Sequence, residues 1–293
     1  MNKLALLPVL LRRALQRGRS AARTRARPGD GRPQPGRRLR RGRQHRRADG
    51  LVLPVPLGAR VPGHPGLRRG RRPRVRAAVQ LAQIAQLNPQ IRFHGVDLSD
   101  TMLQKARANV SRLGLTNVRF SRGDITTLES LPNASADGVI STMALHHLPT
   151  LDHLRRCFQR VHEILRPGGA LYLVDFTRLK RLHTVIFFAY QNARHQPHLF
   201  TLDYERSLRA AFEKADFEAV AREQLPGRGD VVSTFMVPML TVIKTADRPL
   251  QAAQLDRVRA LLREMPARYR SDLNDMRVFF RLGGLKNDPF QGL

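Results

Sequence analysis

Between Ile91 and Phe176, short apolar runs alternate with stretches whose apolar residues recur every three or four positions, and this alternation restricts the fold more than any other feature. Ile91 to Val96 reads as a strand, and Asp97-Leu98-Ser99-Asp100 turns it into a helix with Met102, Ala106, Val110 and Leu113 on one face. Ser99 or Asp100 suits the cap of that helix, because a side-chain oxygen there accepts an orphan N–H of the first turn. Gly114 ends it. Asn117 to Ser121 and Gly138 to Thr142 follow as strands, then an amphipathic helix with Leu151, Leu154, Phe158, Val161 and Leu165 in line. Pro167-Gly168-Gly169 is expected to stop that helix before a strand from Ala170 to Phe176. Strands separated by helices of ten or more residues predict a mostly parallel, doubly wound α/β sheet of Rossmann-like form.

The rest of the chain reads less regularly. Thr177 to Tyr204 is expected to be irregular and aromatic, and Ser207 to Ala215 helical. Residues 217–224 and 234–245 are read as a closing antiparallel pair, in which Pro238 is awkward because proline belongs at edges or bulges. Residues 250–265 read as helix, within a helical C-terminal extension over 247–293.

The first 80 residues differ from this body. They hold 23 of the 52 basic residues but 2 of the 23 acidic ones, and 50 of the 80 are Ala, Gly, Pro or Arg. They contain no Phe, Tyr, Trp or Ile. Such a segment buries too little apolar surface to offset its ordering entropy, so residues 1–79 are expected to be a disordered basic head. Its arginines can neutralise phosphates, but without aromatics to stack bases its contact with nucleic acid would be non-specific. The globular body is assigned to residues 80–246.

Cys157 is the one cysteine, which excludes a disulfide framework, a CxxC redox pair and a cysteine zinc site, and fits a reducing cytosol. No apolar run approaches the roughly 18 residues of a membrane span, and Leu4 to Leu11 meets Arg12-Arg13 at once, a poor secretory signal. A cytoplasmic location with no membrane partner is therefore expected.

In an open α/β sheet, ligands bind beyond the carboxyl ends of the strands. Three polar groups fall there: Asp97, suited to a pair of ribose hydroxyls; Asp124, suited to an adenine amino group; and the stretch Ser141 to His147. Each aspartate on its own is equally a turn residue or helix cap. His146 and His147, with His153 and His162 nearby, lack an Asp or Cys at ligand spacing, and no metal is expected. His146 suits a general base, since an imidazole titrates near operating pH.

Taken in order, Gly95-Val96-Asp97-Leu98-Ser99, Met102-Leu103, Gly123-Asp124-Ile125, Ala144-Leu145-His146-His147-Leu148 and Leu165-Arg166-Pro167-Gly168-Gly169 resemble the motifs of class I S-adenosylmethionine-dependent methyltransferases. The resemblance covers roughly residues 80–246 and implies a seven-stranded sheet. It implies S-adenosylmethionine as cofactor, with Asp97 on the ribose and Leu98 and Met102 flanking the adenine. Asp124 and the Ile125 backbone would read the adenine edge, and the neighbourhood of Ser141 to Met143 would line the methionine moiety.

A glycine-rich loop is expected roughly 20 residues before Asp97. Arg71 to Ala78 stands there without a glycine. Ala, Gly, Pro and Arg dominate when GC-rich DNA is read out of frame. With suitable codons, a shift of one nucleotide from Arg71 onward yields Ala-Asp-Leu-Ala-Cys-Gly-Pro, a loop of the required kind. The head is thus expected to be a frameshift product, the alternative being a genuine arginine-rich tail.

Two other functions compete with this one. A short-chain dehydrogenase requires Tyr-x-x-x-Lys, but the residues four beyond Tyr172, Tyr190, Tyr204 and Tyr269 are Phe176, Arg194, Leu208 and Leu273. An arginine-rich nucleic-acid binder, or an RNA methyltransferase, is the alternative from another class. Ser141-Thr142-Met143-Ala144 does not offer the Asn/Asp-Pro-Pro-Tyr/Phe that goes with base amino methylation, and Cys157 sits within a helix. A small-molecule acceptor is the expected partner, with Phe187, Phe188 and Tyr190 over its pocket and Phe279 and Phe280 covering the same face.

Overall fold

A computed structural model describes residues 79–247 and 252–288, so the expected disorder of the head and the position of the glycine loop lie outside the described residues. The chain enters through helix α1 (Val79–Leu87) and strand β1 (Phe93–Asp97). Helix α2 (Asp100–Arg112) is capped by Ser99, whose hydroxyl accepts the N–H of Met102 at 3.3 Å. It buries Leu103, Ala106 and Val110, the face expected from their spacing. Strand β2 (Val118–Arg122) follows, and Asn117 fastens its start to the end of α1 by donating to the carbonyls of Ala85, Asn88 and Ile91.

Strand β3 (Ala136–Thr142) leads through a 3-10 turn (Leu145–His147) into α3 (Leu151–Ile164). Thr150 caps α3, and Leu154, Cys157, Phe158, Val161 and Ile164 turn inward. Strand β4 (Leu165–Phe176) begins directly after it. The Pro167-Gly168-Gly169 stretch therefore lies inside a strand rather than between helix and strand. Gly168 at φ +71° supplies an irregularity there, matched by a register shift against β3 between Ala136 and Gly138.

The second half departs from expectation in two places. The stretch after β4 is helical: α4 (Leu182–Tyr190) and α5 (His198–Ala210) pack together, and the Tyr190 hydroxyl donates to Glu205 at 2.9 Å. Residues 217–224 belong to α6 (Lys214–Gln224) and not to a strand. Glu213 and Asp216 form a reciprocal capping box at its start, and Phe217, Val220 and Ala221 share its buried face. The antiparallel pair is β5 (Asp230–Ser233) with β6 (Leu240–Lys244), so Pro238 lies in their connection, where its missing N–H costs no ladder bond. Helices α7 (Ala252–Glu264) and α8 (Ala267–Leu282) complete the described chain. Phe279 meets the β5–β6 connection, its carbonyl accepting the N–H of Phe235. No described helix is long and apolar enough to cross a membrane.

Among the described residues the strands form two sheets, β1–β2 in parallel and β3–β4–β6–β5 with β6 antiparallel to both neighbours. The two share their cores on both faces. Phe93 of β1 and Ile140 of β3 join Leu81, Ile84 and Ala85 of α1 in one cluster. Val96 of β1 joins Val139 of β3, Leu171 of β4 and the inner face of α3 in the other. β1 and β3 each pair with a single described strand, rather than lying within one continuous sheet.

Candidate active site

The parallel register sets Asp97 opposite Arg122, so β1 and β2 end together. The N–H of Gly123 donates to the carbonyl of Asp97 at 3.1 Å, which sets Asp124 beside the end of β1. Asp97 is buried, and its Oδ1 accepts the N–H of Ser99 at 2.7 Å. Asp124 makes the turn that its residue type equally predicts, Oδ1 accepting the N–H and the hydroxyl of Thr126, both at 2.7 Å. Leu98 is 44% exposed and Met102 half-buried, while Ile125 packs against the main core.

The ends of β3 and β4 carry the second group. Ser141 is buried, and its Oγ has no hydrogen-bond partner among the described residues. Met143 adopts a left-handed φ of +55°, a strained turn for a side chain of its size. Its N–H is held by the Val174 carbonyl at 2.9 Å. His146 is buried beyond that turn with Nδ1 at 2.6 Å from Oδ1 of Asp175. The Oδ2 of Asp175 accepts the N–H of Leu145 at 2.6 Å and of His146 at 3.3 Å. Asp175 lies at the carboxyl end of β4, the position that singled out Asp97 on β1. The same strand-end signal stands in Leu171 to Phe176.

Aromatic rings continue from His146. His147 lies 4.1 Å away centroid to centroid, Phe176 at 5.3 Å, and Tyr204 of α5 at 5.4 Å from Phe176. Desolvation of its ring, then the neighbouring His146, hold His147 down at about 4, so it is neutral at pH 7. Burial pushes the Tyr204 hydroxyl up to about 12. Of the aromatics expected here, Phe188 is buried in α4 and Tyr190 is engaged with Glu205. The aromatic ring beside His146 is instead Phe176, with Tyr204 against its other side. His153 turns to the helix cap, its Nδ1 at 2.7 Å from the Thr150 hydroxyl. The two groups meet through the core, since Val96, beside Asp97, and Leu145, beside His146, occupy one apolar cluster.

Parallel strands with acidic and hydroxyl groups at their carboxyl ends define an α/β domain of the kind that binds ligands beyond its strand ends. Residues 77–169 match the family described as Methyltransferase domain. Over that stretch the chain is similar to known methyltransferases. Over 92 residues it is 45% identical to trans-aconitate 2-methyltransferase of Deinococcus radiodurans, spanning 31% of each protein. It is 34% identical over 95 residues to an uncharacterized methyltransferase of Mycobacterium tuberculosis, covering 32% of this chain and 44% of that one. A third relative, arsenite methyltransferase of Halobacterium salinarum, is 32% identical over 90 residues, 31% of this chain and 22% of its own. The chain spans less than half of the length of each of these relatives. A solved S-adenosylmethionine-dependent methyltransferase from Aquifex aeolicus overlaps 53% of this chain and 69% of its own at 15% identity and a TM-score of 0.37.

Proposed function

We propose that this protein transfers the methyl group of S-adenosylmethionine to a small-molecule acceptor. The observation that carries the reading is the juncture of β1 and β2, where the Gly123 N–H to Asp97 carbonyl bond places two carboxylates at adjoining strand ends. The buried, unpartnered Ser141 hydroxyl fits the same group. Left unsatisfied it costs about 1–3 kcal/mol, which a polar atom of a ligand offsets. In this reading Asp97 takes the ribose hydroxyls, Leu98 and Met102 flank the adenine, and Asp124 with the Ile125 backbone reads its edge. Ser141 lies on the methionine side. The bound sulfonium supplies an electrophilic methyl, and the chain contributes mainly positioning, holding the acceptor's nucleophile about 3 Å from that carbon and in line with it. His146 is the candidate base.

The reading extends to the chain's own defect. The family match begins at residue 77, directly after the Arg71 to Arg76 run. That boundary supports a change of reading frame there, and hence a chain with little activity as it stands. The relative named for trans-aconitate supports a small acceptor. An RNA base-carbon acceptor needs a thiolate nucleophile, and burial pushes the Cys157 thiol up to about 12, so it stays protonated. A lone buried thiol is also in keeping with a cytosolic site of action.

Titration of S-adenosylhomocysteine into the chain by calorimetry tests the proposal. Saturable binding that Asp97→Ala abolishes or weakens is expected. No binding even after a glycine loop is restored over residues 71–77 would overturn it.

A further inference from the structure

We propose that the outer face of α4 and the first turn of α5 dock on the surface of an anionic lipid bilayer. Helix α4 is 9 residues long and contains no Asp, Glu, Lys or Arg. Its inner face buries Val185, Phe188 and Ala189. Its outer face, where a helix lying on a core ordinarily turns charged, carries Leu182 and Ile186, both exposed. Leu199 and Phe200 in the first turn of α5 are exposed as well, Leu199 by 63%. The Gln196 side chain ties the end of α4 to that turn, donating to the Ala189 carbonyl at 3.4 Å and to the Thr201 hydroxyl at 2.9 Å. Phe200 stands 6.5 Å from Tyr204, which lies 5.4 Å from Phe176 at the end of β4, so the face adjoins the carboxyl ends of the strands.

The charge around this face selects its occupant. From Thr177 to Phe200 the chain has four Lys or Arg residues and no Asp or Glu. Arg178, Lys180, Arg181 and Arg194 are all exposed, and among the described residues none of them pairs with a carboxylate. Apolar side chains that enter the acyl boundary, beside cations that meet the headgroups, suit an anionic leaflet. A second copy of this chain fits less well, because a two-fold interface sets these cations against their own images. RNA would use the cations but gains nothing from Leu182 and Ile186, which cannot stack on bases. A helix of 9 residues is too short to cross a bilayer, so the contact is with one leaflet. The lack of a spanning run bears on crossing a membrane and not on lying against one.

The sequence contains no tryptophan, so Leu199→Trp in the full chain supplies a single reporter on this face, and Leu182→Trp supplies one on the other helix. The 23 basic residues among the first 80 bring the chain to anionic vesicles whatever this face does, so the readout is the depth of the reporter rather than co-sedimentation. Vesicles of phosphatidylcholine with phosphatidylserine should shift the emission of both reporters to the blue, and brominated acyl chains should quench it. Vesicles of phosphatidylcholine alone should do so far more weakly. Each basic residue near an anionic leaflet is worth roughly fivefold in binding, so Lys180→Glu with Arg181→Glu should cut the quenching several-fold. Ile91→Trp puts the reporter at another exposed position, just before β1 at the opposite end of the strands, and should show no quenching.

No quenching at either 199 or 182, equal quenching at 91, or quenching that the two glutamates leave unchanged overturns the proposal. So does a reporter that shifts with polyuridylate and not with vesicles, which assigns the face to RNA. A reporter already shifted to the blue without lipid, in a chain that sedimentation shows to be a dimer, assigns it to a second copy and overturns the proposal equally. None of these readouts needs S-adenosylhomocysteine, so they stand or fall apart from the calorimetric titration.

Discussion

The backbone N–H of Gly123 donates to the carbonyl of Asp97 at 3.1 Å, closing the carboxyl ends of two parallel strands on each other. A Cβ at Gly123 would stand 2.9 Å from Cγ1 of Val96, the residue before Asp97, so a larger residue here forces the strand ends or the Val96 side chain to shift. Gly123→Ala should part them and lower affinity for S-adenosylhomocysteine several-fold while the far-UV spectrum stays unchanged. Calorimetry on the folded variant reads this directly.

Asp97→Ala removes the proposed ribose acceptor. A hydrogen bond to a charged group contributes about 1.5–3 kcal/mol, so affinity for S-adenosylhomocysteine should fall tenfold or more. Unchanged affinity would remove Asp97 from the site.

Restoring the shifted frame over residues 71–77, as Ala-Asp-Leu-Ala-Cys-Gly-Pro, should raise affinity for S-adenosylhomocysteine well above that of the chain as it stands. A misplacement of about 1 Å can cost a hundredfold in rate, so methyl transfer should gain at least as much as binding. Equal, micromolar affinity in both versions would show that another segment supplies the cradle. The nucleotide sequence upstream of codon 80 checks the same point without a protein experiment.

His147 titrates at about 4 in the folded chain against 6.5 in the unfolded one. The unfolded state therefore binds the extra proton first as pH falls. The stability associated with a neutral His147 is complete above pH 6.5 and drains away between 6.5 and about 4. His147→Gln should flatten that part of the stability curve, measured as urea midpoints at pH 7 and pH 4.5.

Phe158 is wholly buried on α3 at the centre of the main cluster. Phe158→Ala should cost about 3–5 kcal/mol through lost burial and the cavity left behind. Equilibrium denaturation checks it, and a loss under 1 kcal/mol would show that this cluster does not carry the domain.

The alternation from Ile91 to Phe176 was legible because strand and helix periods are local properties, written within a few residues. So were the Ser99 cap and the carboxylates Asp97 and Asp124 at strand ends. Where two local signals competed, the pattern misled. Phe217, Val220 and Ala221 suit a helix face as well as an apolar strand, and the capping box of Glu213 with Asp216 decides for the helix. The aromatic residues after Thr177 gave no period clear enough to separate two short helices from a loop.

Asp97, Asp124 and Ser141 were thus picked out by the sequence itself, because the end of a strand is marked in the chain. The pairing of His146 with Asp175 was not. Those residues are 29 positions apart and meet only because β3 and β4 lie parallel, with Ser141 opposite Leu173 and Thr142 opposite Val174. Register is a relation between two segments, set by how their apolar faces share a core. Local periodicity names the strands, and packing alone decides which side chains their ends bring within hydrogen-bonding distance.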